Sequence, residues 1–350
     1  MKKLSVFNKF FFVCNLLLAI LTIVAYFLPF LTPKSFPILA VLTLFLPMML
    51  ILNILFLIFW GIQLKRQVFL SVVVLMIGFP FINKFYKFSK TDLPINTNDF
   101  VVMSYNVRIF NKFQWSDKLT VPIEIADFVK EKKPDILCIQ EFGNAKEFDY
   151  SAYKYKYILS SGDKIKTGQA IFSKFNMLHK GEIKFPNSSN NVIYADLKIK
   201  NDTVRVYSIH LQSIKISPDV QGINHDINEI DQQKSEAMFK RISKAFKIQQ
   251  QQAELIKVNK LECKYPIIIC GDMNNSAFSY VYRVVKGDLQ DAFEEAGTGF
   301  GKSYDFTYYP ARIDYIFADK NLKIKYFQNF PEIEDSDHFP IIARMAFEKD

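Results

Sequence analysis

Residues 265–275 read YPIIICGDMNN, an isoleucine-rich run that stops at Gly271 and passes into Asp272, Asn274 and Asn275. A short apolar run rich in β-branched residues is a buried strand. A polar cluster at its end is held by a rigid scaffold yet faces solvent, where catalytic groups belong. The same pattern recurs on both sides. FVVMSYNV (100–107), DILCIQEF (135–142), QAIFSKF (169–175), NVIYADLKI (191–199), TVRVYSIHL (203–211), RIDYIFA (312–318) and IIARMAF (341–347) all read as strands. Two helices interrupt them, TVPIEIADFVKEKK (120–133) and roughly 230–260, whose glutamine run 249–252 reads as a solvated helix face. Many strands with few, separated helices predict two packed sheets with helices outside, an α+β or α/β sandwich.

The first ninety residues differ. They hold nine of the chain's 44 basic residues and no Asp or Glu, so residues 91–350 carry 35 basic against 35 acidic residues. The formal charge of +9 therefore belongs to the first quarter and is no nucleic-acid footprint on the remainder. Uncharged runs cover 10–33, 35–64 and 67–83. A hydrocarbon core needs about 20 apolar residues, which predicts about three transmembrane helices near 10–31, 36–60 and 67–83. The first run exceeds a signal-peptide core of about 7–15 residues, and no small-x-small cleavage site follows it. It reads as a retained span. Residues 87–98 read as a polar linker and 99–350 as the soluble domain. With three spans, the start and the second loop share one face and hold Lys2, Lys3, Lys9, Lys65 and Arg66. The other face holds Lys34, Lys84, Lys87 and Lys90. Five against four favours the N-terminus inside and residues 91–350 outside the cytoplasm, on the periplasmic side if the cell is bacterial. Cys138 and Cys270 lie within apolar runs and read as small buried hydrophobes, not as a disulfide framework. No ionisable residue lies inside the spans, which speaks against a transporter.

Chemistry gathers at the strand ends. Asn106, Glu141, His210, Asp272 with Asn274, Asp314, and Asp337 with His338 each terminate or abut an apolar run. Glu141, Asp272, Asp314 and Asp337 offer hard oxygen ligands that suit Mg²⁺ or Mn²⁺ better than zinc. Asn106 and Asn274 can bind a phosphoryl oxygen, and His210 and His338 can donate to phosphate or carry protons. Together these groups describe phosphoester hydrolysis. Each piece alone has a plainer reading: GDMNN as an Asx turn, SIHL as a satisfied core histidine, DSDH as a loop. The case rests on several such pieces, each at a strand end. His179 and His225 read as surface residues.

In that order, SYNVR, DILCIQE, SIHL, CGDMNNS, RIDYIF and SDHFP resemble the endonuclease/exonuclease/phosphatase superfamily. That group includes deoxyribonuclease I-like nucleases, abasic-site endonucleases, inositol polyphosphate phosphatases and neutral sphingomyelinases. The resemblance spans about 99–350. It implies a four-layer α/β (α+β) sandwich of two packed mixed β-sheets flanked by helices, here preceded by an all-α transmembrane region. It implies that Glu141 is the main Mg²⁺ ligand, with Asn106 and Asp337 assisting the metal. His210 would contact the scissile phosphate, which Asn106 and Asn274 also bind. Asp272 would position the nucleophilic water or serve the leaving group, and Asp314 would orient His338, the acid/base. An Arg or Lys often follows the QE motif in nuclease members, whereas Phe142, Gly143 and Asn144 follow it here. Only six arginines (108, 205, 241, 283, 312 and 344) occupy the soluble part, few for duplex binding. The loop 213–230 directly after His210 is a candidate substrate-selecting segment.

The function expected is a membrane-anchored, Mg²⁺- or Mn²⁺-dependent phosphoesterase, a hydrolase acting on a lipid-linked, small-molecule or nucleic-acid phosphoester. An extracytoplasmic nuclease and a catalytically silent membrane-bound binding module are the alternatives. The bilayer is the partner implied by the spans; no protein partner is inferable.

Overall fold

The computed structural model describes residues 4–143, 145–161, 167–186, 188, 190–214, 232–307 and 309–348, without the side chains of 161 and 232–234. The described chain divides into two compact units. One holds the described residues of 1–85, 215–250 and 277–283, and the other those of 86–214, 251–276 and 284–350.

In the second unit, strands numbered in chain order form two six-stranded sheets. The first contains β1 (Phe100–Asn106), β2 (Ile136–Gly143), β3 (Tyr155–Ser161), β4 (Thr167–Ser173), β11 (Leu322–Asn329) and β12 (Ile341–Phe347), in the order β11-β12-β1-β2-β4-β3. The second contains β5 (Asn176–Lys184), β6 (Asn191–Ile199), β7 (Asp202–His210), β8 (Ile267–Asp272), β9 (Gln290–Asp291) and β10 (Asp314–Ala318), in the order β5-β6-β7-β8-β10-β9. The β1–β2 and β7–β8 pairs are parallel and the other pairs antiparallel, so both sheets are mixed. Val102, Ile136, Cys138 and Ile171 of the first sheet pack against Ile193, Val206, Ile268 and Ile316 of the second. The alternate residues Met103, Leu137, Ile139 and Phe172 point the other way, toward Val121, Ile125, Phe128 and Val129 of the helix Val121–Lys132. Burial on both faces explains why these strands read as continuous apolar runs. The helix starts with Pro122 in its first turn and ends at Lys133, whose φ of 48° is left-handed and whose N–H bonds Val129 O at 2.9 Å. Truncating one such core residue, Ile268 for example, costs about 2–5 kcal/mol. Cys138 and Cys270 are buried free thiols.

Residues 87–98, expected to link, are held to this unit. Arg344 Nη2 donates to Asp92 Oδ1 at 2.9 Å and to Leu93 O at 2.6 Å, and Leu93 N–H donates to Lys325 O at 3.0 Å.

In the first unit, helices Val6–Phe27, Pro37–Leu42, Leu46–Ile62, Val68–Ile77 and Phe79–Phe85 follow one another. Val6–Phe30 and Pro37–Ile62 are each long and apolar enough to cross a membrane; Val68–Ile77 and Phe79–Phe85 make a third candidate bent by 70°. Gly78 sits at the bend, and a Cβ there would fall 2.0 Å from Tyr26 Oη. Pro80 removes a helical donor at the same place. The helices are tied by buried polar groups. Asn15 Nδ2 donates to Ser71 Oγ at 3.1 Å, Trp60 Nε1 to Asn15 Oδ1 at 3.0 Å, and Asn53 Nδ2 to Thr22 Oγ1 at 2.9 Å.

The glutamine run is not the solvated face expected of it. Gln249, Gln250 and Gln252 are buried in the helix Gln232–Leu261. Gln250 Oε1 accepts the Lys34 N–H at 2.8 Å within the helical unit, and Gln252 Oε1 accepts the Gln212 N–H at 2.9 Å within the sheet unit. Long amides satisfy backbone donors of irregular segments that would otherwise be buried unpaired.

Candidate active site

The second sheet sets three chemical groups in one row. His210 pairs with Asp272 across the parallel β7–β8 ladder, and Asp314 pairs with Asp272 across the antiparallel β8–β10 ladder. Gly271 makes the approach possible: its φ is 137°, and a Cβ would fall 2.1 Å from Ile209 O. Beyond the strand, Asp272 Oδ1 accepts the Asn274 N–H at 2.7 Å. Asn274 Nδ2 donates to Asp272 Oδ2 at 2.9 Å and to Leu211 O at 3.1 Å. Asn274 takes a left-handed φ of 48°, which Asn tolerates better than most residues.

The first sheet supplies the facing groups. Asn106 Nδ2 donates to Asp272 Oδ2 at 3.1 Å and reaches Glu141 Oε1 at 3.5 Å. Its Oδ1 accepts the Arg108 N–H at 3.1 Å. A register shift between Gln140 and Phe142 marks a bulge at Glu141, whose φ is 51°. Bulges re-aim a side chain out of the ladder. Glu141 Oε1 and Asp272 Oδ2 each lie 3.7 Å from His210 Nε2. His338 Nδ1 lies 2.9 Å from Asp314 Oδ2, and its Nε2 lies 3.6 Å from Asp272 Oδ2. Ser303 Oγ accepts the N–H groups of Ile313 and Asp314 at 3.0 and 2.9 Å. Ser336 Oγ donates to Asn106 O at 2.8 Å and accepts the His338 N–H at 3.2 Å.

Burial sets the electrostatics. It lifts Asp272 from 3.8 to about 6 against the opposing pull of His338, and it raises Glu141. It lowers His210, the neighbouring carboxylates notwithstanding. Burial acts to lower His338 too, but Asp314 and Asp272 together carry it well above the ordinary imidazole value. The cluster thus crowds carboxylates in a dry pocket, which lifts Asp272 and, through its carboxylate neighbours, His338. Asp272, Asp314 and His338 each bring a donor atom within 4.8 Å of the others, and Asp314 Oδ1 is buried with no hydrogen-bond partner among the described residues. Carboxylate oxygens dominate this donor set, which fits a hard divalent cation.

The sequence-predicted residues Asn106, Glu141, His210, Asp272, Asn274, Asp314 and His338 are joined by these contacts. Asp337 stands beside them, its Oδ2 3.4 Å from Arg108 Nη1, and its charge is felt by Glu141. His179 is exposed. His225 and residues 215–231 of the suggested selecting loop lie outside the described residues.

Sequence reasoning did not single out a buried polar ladder between the sheets. Ser104 Oγ donates to Gln140 Oε1 at 3.3 Å, Gln140 Nε2 to Ser208 Oγ at 3.1 Å, and Ser208 Oγ to Gln169 Oε1 at 2.8 Å. The signal was a polar residue inside an otherwise apolar strand. Nor did it find the turn after Asn106. Arg108, Ile109, Phe110 and Asn111 all have φ between 45° and 57°, a left-handed turn without glycine. Such backbone costs L-residues about 1–2 kcal/mol each, so tertiary contacts must hold it. Phe110 packs its ring against Phe142 and Phe148 at centroid distances of 5.7 and 5.2 Å. Gly143 leaves room for Ile109, whose Cγ2 would lie 2.6 Å from a Cβ there. Asn111 Nδ2 donates to Ser116 O at 2.7 Å and Lys118 O at 3.0 Å.

Comparison with known proteins agrees with this arrangement. Residues 103–338 match the family model described as the Endonuclease/Exonuclease/phosphatase family, and residues 8–85 match one described as a domain of unknown function. No curated protein sequence matches the chain. A humanized D. rerio TDP2 superposes with a TM-score of 0.52 at 17% identity, over 71% of this chain and 99% of that one. An endonuclease/exonuclease/phosphatase from Beutenbergia cavernae gives 0.52 at 14% identity, over 71% and 72%. D. rerio TDP2 complexed with single strand DNA product gives 0.50 at 15%, over 71% and 98%. These likenesses establish the four-layer sandwich predicted from the motifs. The chain belongs to the endonuclease/exonuclease/phosphatase family, whose members are divalent-metal-dependent hydrolases of phosphoester bonds.

Proposed function

We propose that this member of the endonuclease/exonuclease/phosphatase family is a membrane-anchored, Mg²⁺-dependent phosphoesterase in which the His338–Asp314 pair activates water against a phosphodiester or phosphomonoester. The observation that carries this reading is the buried relay itself, Asp314 Oδ2 at 2.9 Å from His338 Nδ1 and Asp272 Oδ2 at 3.6 Å from Nε2. Asp314 fixes the ring so that Nε2 faces the reaction and stabilises the imidazolium that forms. Asp272 orients the attacking water or hands a proton to the leaving oxygen. Asn274, Asn106 and His210 donate hydrogen bonds to the phosphoryl oxygens. Glu141, with Asn106 and Asp337, would hold Mg²⁺, which when bound neutralises phosphate charge and polarises the phosphorus centre. His338 must lose its proton before it can take one from water, so with its pKa raised by Asp314 and Asp272 turnover rises with pH.

Residues 1–86 serve as the anchor, 87–98 as the connection and 99–350 as the catalytic domain, facing away from the cytoplasm by the lysine and arginine distribution. The balance of 35 basic and 35 acidic residues beyond residue 90 favours a lipid-linked or small phosphoester. A nuclease is the second reading, favoured by the similar D. rerio protein held with a single strand DNA product. A silent binding module accords poorly with a site that keeps every motif residue.

The test is hydrolysis by the full chain in detergent with Mg²⁺, beside His338→Ala, on plasmid DNA, RNA, sphingomyelin, a phosphoinositide and bis-p-nitrophenyl phosphate. Cleavage of a lipid headgroup that requires His338 supports the reading. Cleavage of nucleic acid alone transfers it to the nuclease, and no cleavage of any substrate removes it.

A further inference from the structure

We propose that Arg108 binds the substrate phosphate and that Trp115 and Phe113 form an aromatic wall for the group esterified to it, so that the site selects phosphate esters of flat or apolar alcohols. The proposal rests on the phosphoesterase reading and names the substrate class of that same site.

Arg108 is tied to the reaction centre at its backbone, where its N–H donates to Asn106 Oδ1 at 3.1 Å. It opens the left-handed turn of residues 108–111. Strained backbone persists only where its surroundings impose it, and it clusters at ligand sites. Phe110, Gly143 and Asn111 impose it here, as described above. The consequence is the placement of the guanidinium. Its central carbon lies 3.9 Å from the Trp115 ring centroid, and Nη1 lies 3.4 Å from Asp337 Oδ2. An arginine held against an aromatic ring keeps its edge donors available for an anion. The pair with Asp337 is long for a hydrogen bond, whereas a phosphate offers two oxygens to the same fork.

The surroundings match such a ligand. The Arg108 side chain is 27% exposed, and Trp115 and Phe113 are 37% and 54% exposed with ring centroids 5.8 Å apart. A partly exposed cation backed by an open aromatic pair beside a hydrolytic cluster suits an anion joined to an apolar or planar group.

The alternative is that Arg108 merely pins the loop through Asp337 and Trp115. Full-length protein in detergent with Mg²⁺ separates the two, with inorganic phosphate as probe. The chain has two tryptophans, and Trp60 is buried in the helical unit against Asn15, so a phosphate-dependent change in emission reports Trp115. The expected result is a saturable change that Trp115→Phe abolishes. Calorimetric phosphate affinity should fall about 10- to 100-fold in Arg108→Ala and Arg108→Gln, the worth of a charge-assisted hydrogen bond, with Arg108→Lys between. In turnover, Arg108→Ala should raise KM more than it lowers kcat. Trp115→Ala should raise KM more for bis-p-nitrophenyl phosphate than for dimethyl phosphate, which lacks the aromatic group but still uses the guanidinium that Trp115 supports. A wild-type protein that binds no phosphate overturns the proposal. So does an Arg108→Ala variant that binds phosphate as tightly as wild type while melting at lower temperature, the mark of a structural pin. Wild-type protein that binds phosphate through Arg108 yet hydrolyses no ester leaves this site standing and removes the phosphoesterase reading instead.

Discussion

Two of the buried polar clusters among the described residues are built on opposite principles. In the helical unit, Asn15, Trp60 and Ser71 are neutral and supply each other's donors and acceptors. In the sheet unit, Asp272, Asp314 and His338 are ionisable, like charges crowd together, and Asp314 Oδ1 has no hydrogen-bond partner among the described residues. A satisfied neutral network fixes how helices pack at small cost. A frustrated charged one costs stability unless something binds it. The first cluster is architecture, and the second has the donor set of a divalent-metal site.

That contrast can be broken by substitution. Asp272→Asn should have the largest effect. It removes charge and proton chemistry without changing shape, and kcat should fall by about 10³-fold or more, within the range for acid–base groups. Circular dichroism and melting should show the fold intact. Near wild-type turnover would mean that the charged cluster is as architectural as the neutral one. Metal removal comes next. Excess EDTA should silence hydrolysis and Mg²⁺ restore it, and Mg²⁺ should raise the melting temperature of the wild type more than that of Glu141→Gln. Activity that persists in chelator would separate the carboxylates from any metal.

A pH profile sharpens the same point. Asp272 is lifted from 3.8 to about 6 by burial, and His338 is raised by its two carboxylate neighbours. A raised carboxylate loses its charge early as pH falls, and a raised imidazole keeps its proton longer as pH rises. Both push in one direction, so kcat/KM should climb through and above pH 6. Added Mg²⁺ should shift that limb to lower pH, because a cation favours the ionised carboxylate. A flat profile from pH 5 to 8 would contradict a base at His338 raised by its carboxylate neighbours. The smallest effect belongs to the neutral cluster. Asn15→Leu should cost about 0.6–1.7 kcal/mol of bundle stability, read as a lower melting temperature in detergent, and leave kcat and KM unchanged.

The same division governs what could be read in the sequence. The strands that carry the site were legible because two-sided burial makes them apolar and chemistry makes their ends polar, as in IIICGDMNN. Strands without both marks were missed. β5, NMLHKGEIK, is mostly exposed at a sheet edge and has no apolar face to advertise itself. β11 alternates Leu322 and Ile324 with lysines until a register shift between Ile324 and Tyr326 breaks the period. The buried glutamines 249, 250 and 252 looked solvated because their partners, Lys34 and Gln212 among them, are remote in sequence. The left-handed turn at Arg108 gave no warning, since RIFN contains none of the residues that prefer positive φ except Asn111, and the contacts that impose it come from Phe142, Gly143 and Phe148.

The central claim is that the frustrated cluster performs proton transfer. The most direct measurement is single-turnover hydrolysis of bis-p-nitrophenyl phosphate with Mg²⁺ by full-length wild type, His338→Ala and Asp314→Asn. The expected result is a loss of about 10²- to 10⁴-fold for His338→Ala, a smaller loss for Asp314→Asn, and Mg²⁺ affinity retained in both. Equal rates in the wild type and His338→Ala would contradict it.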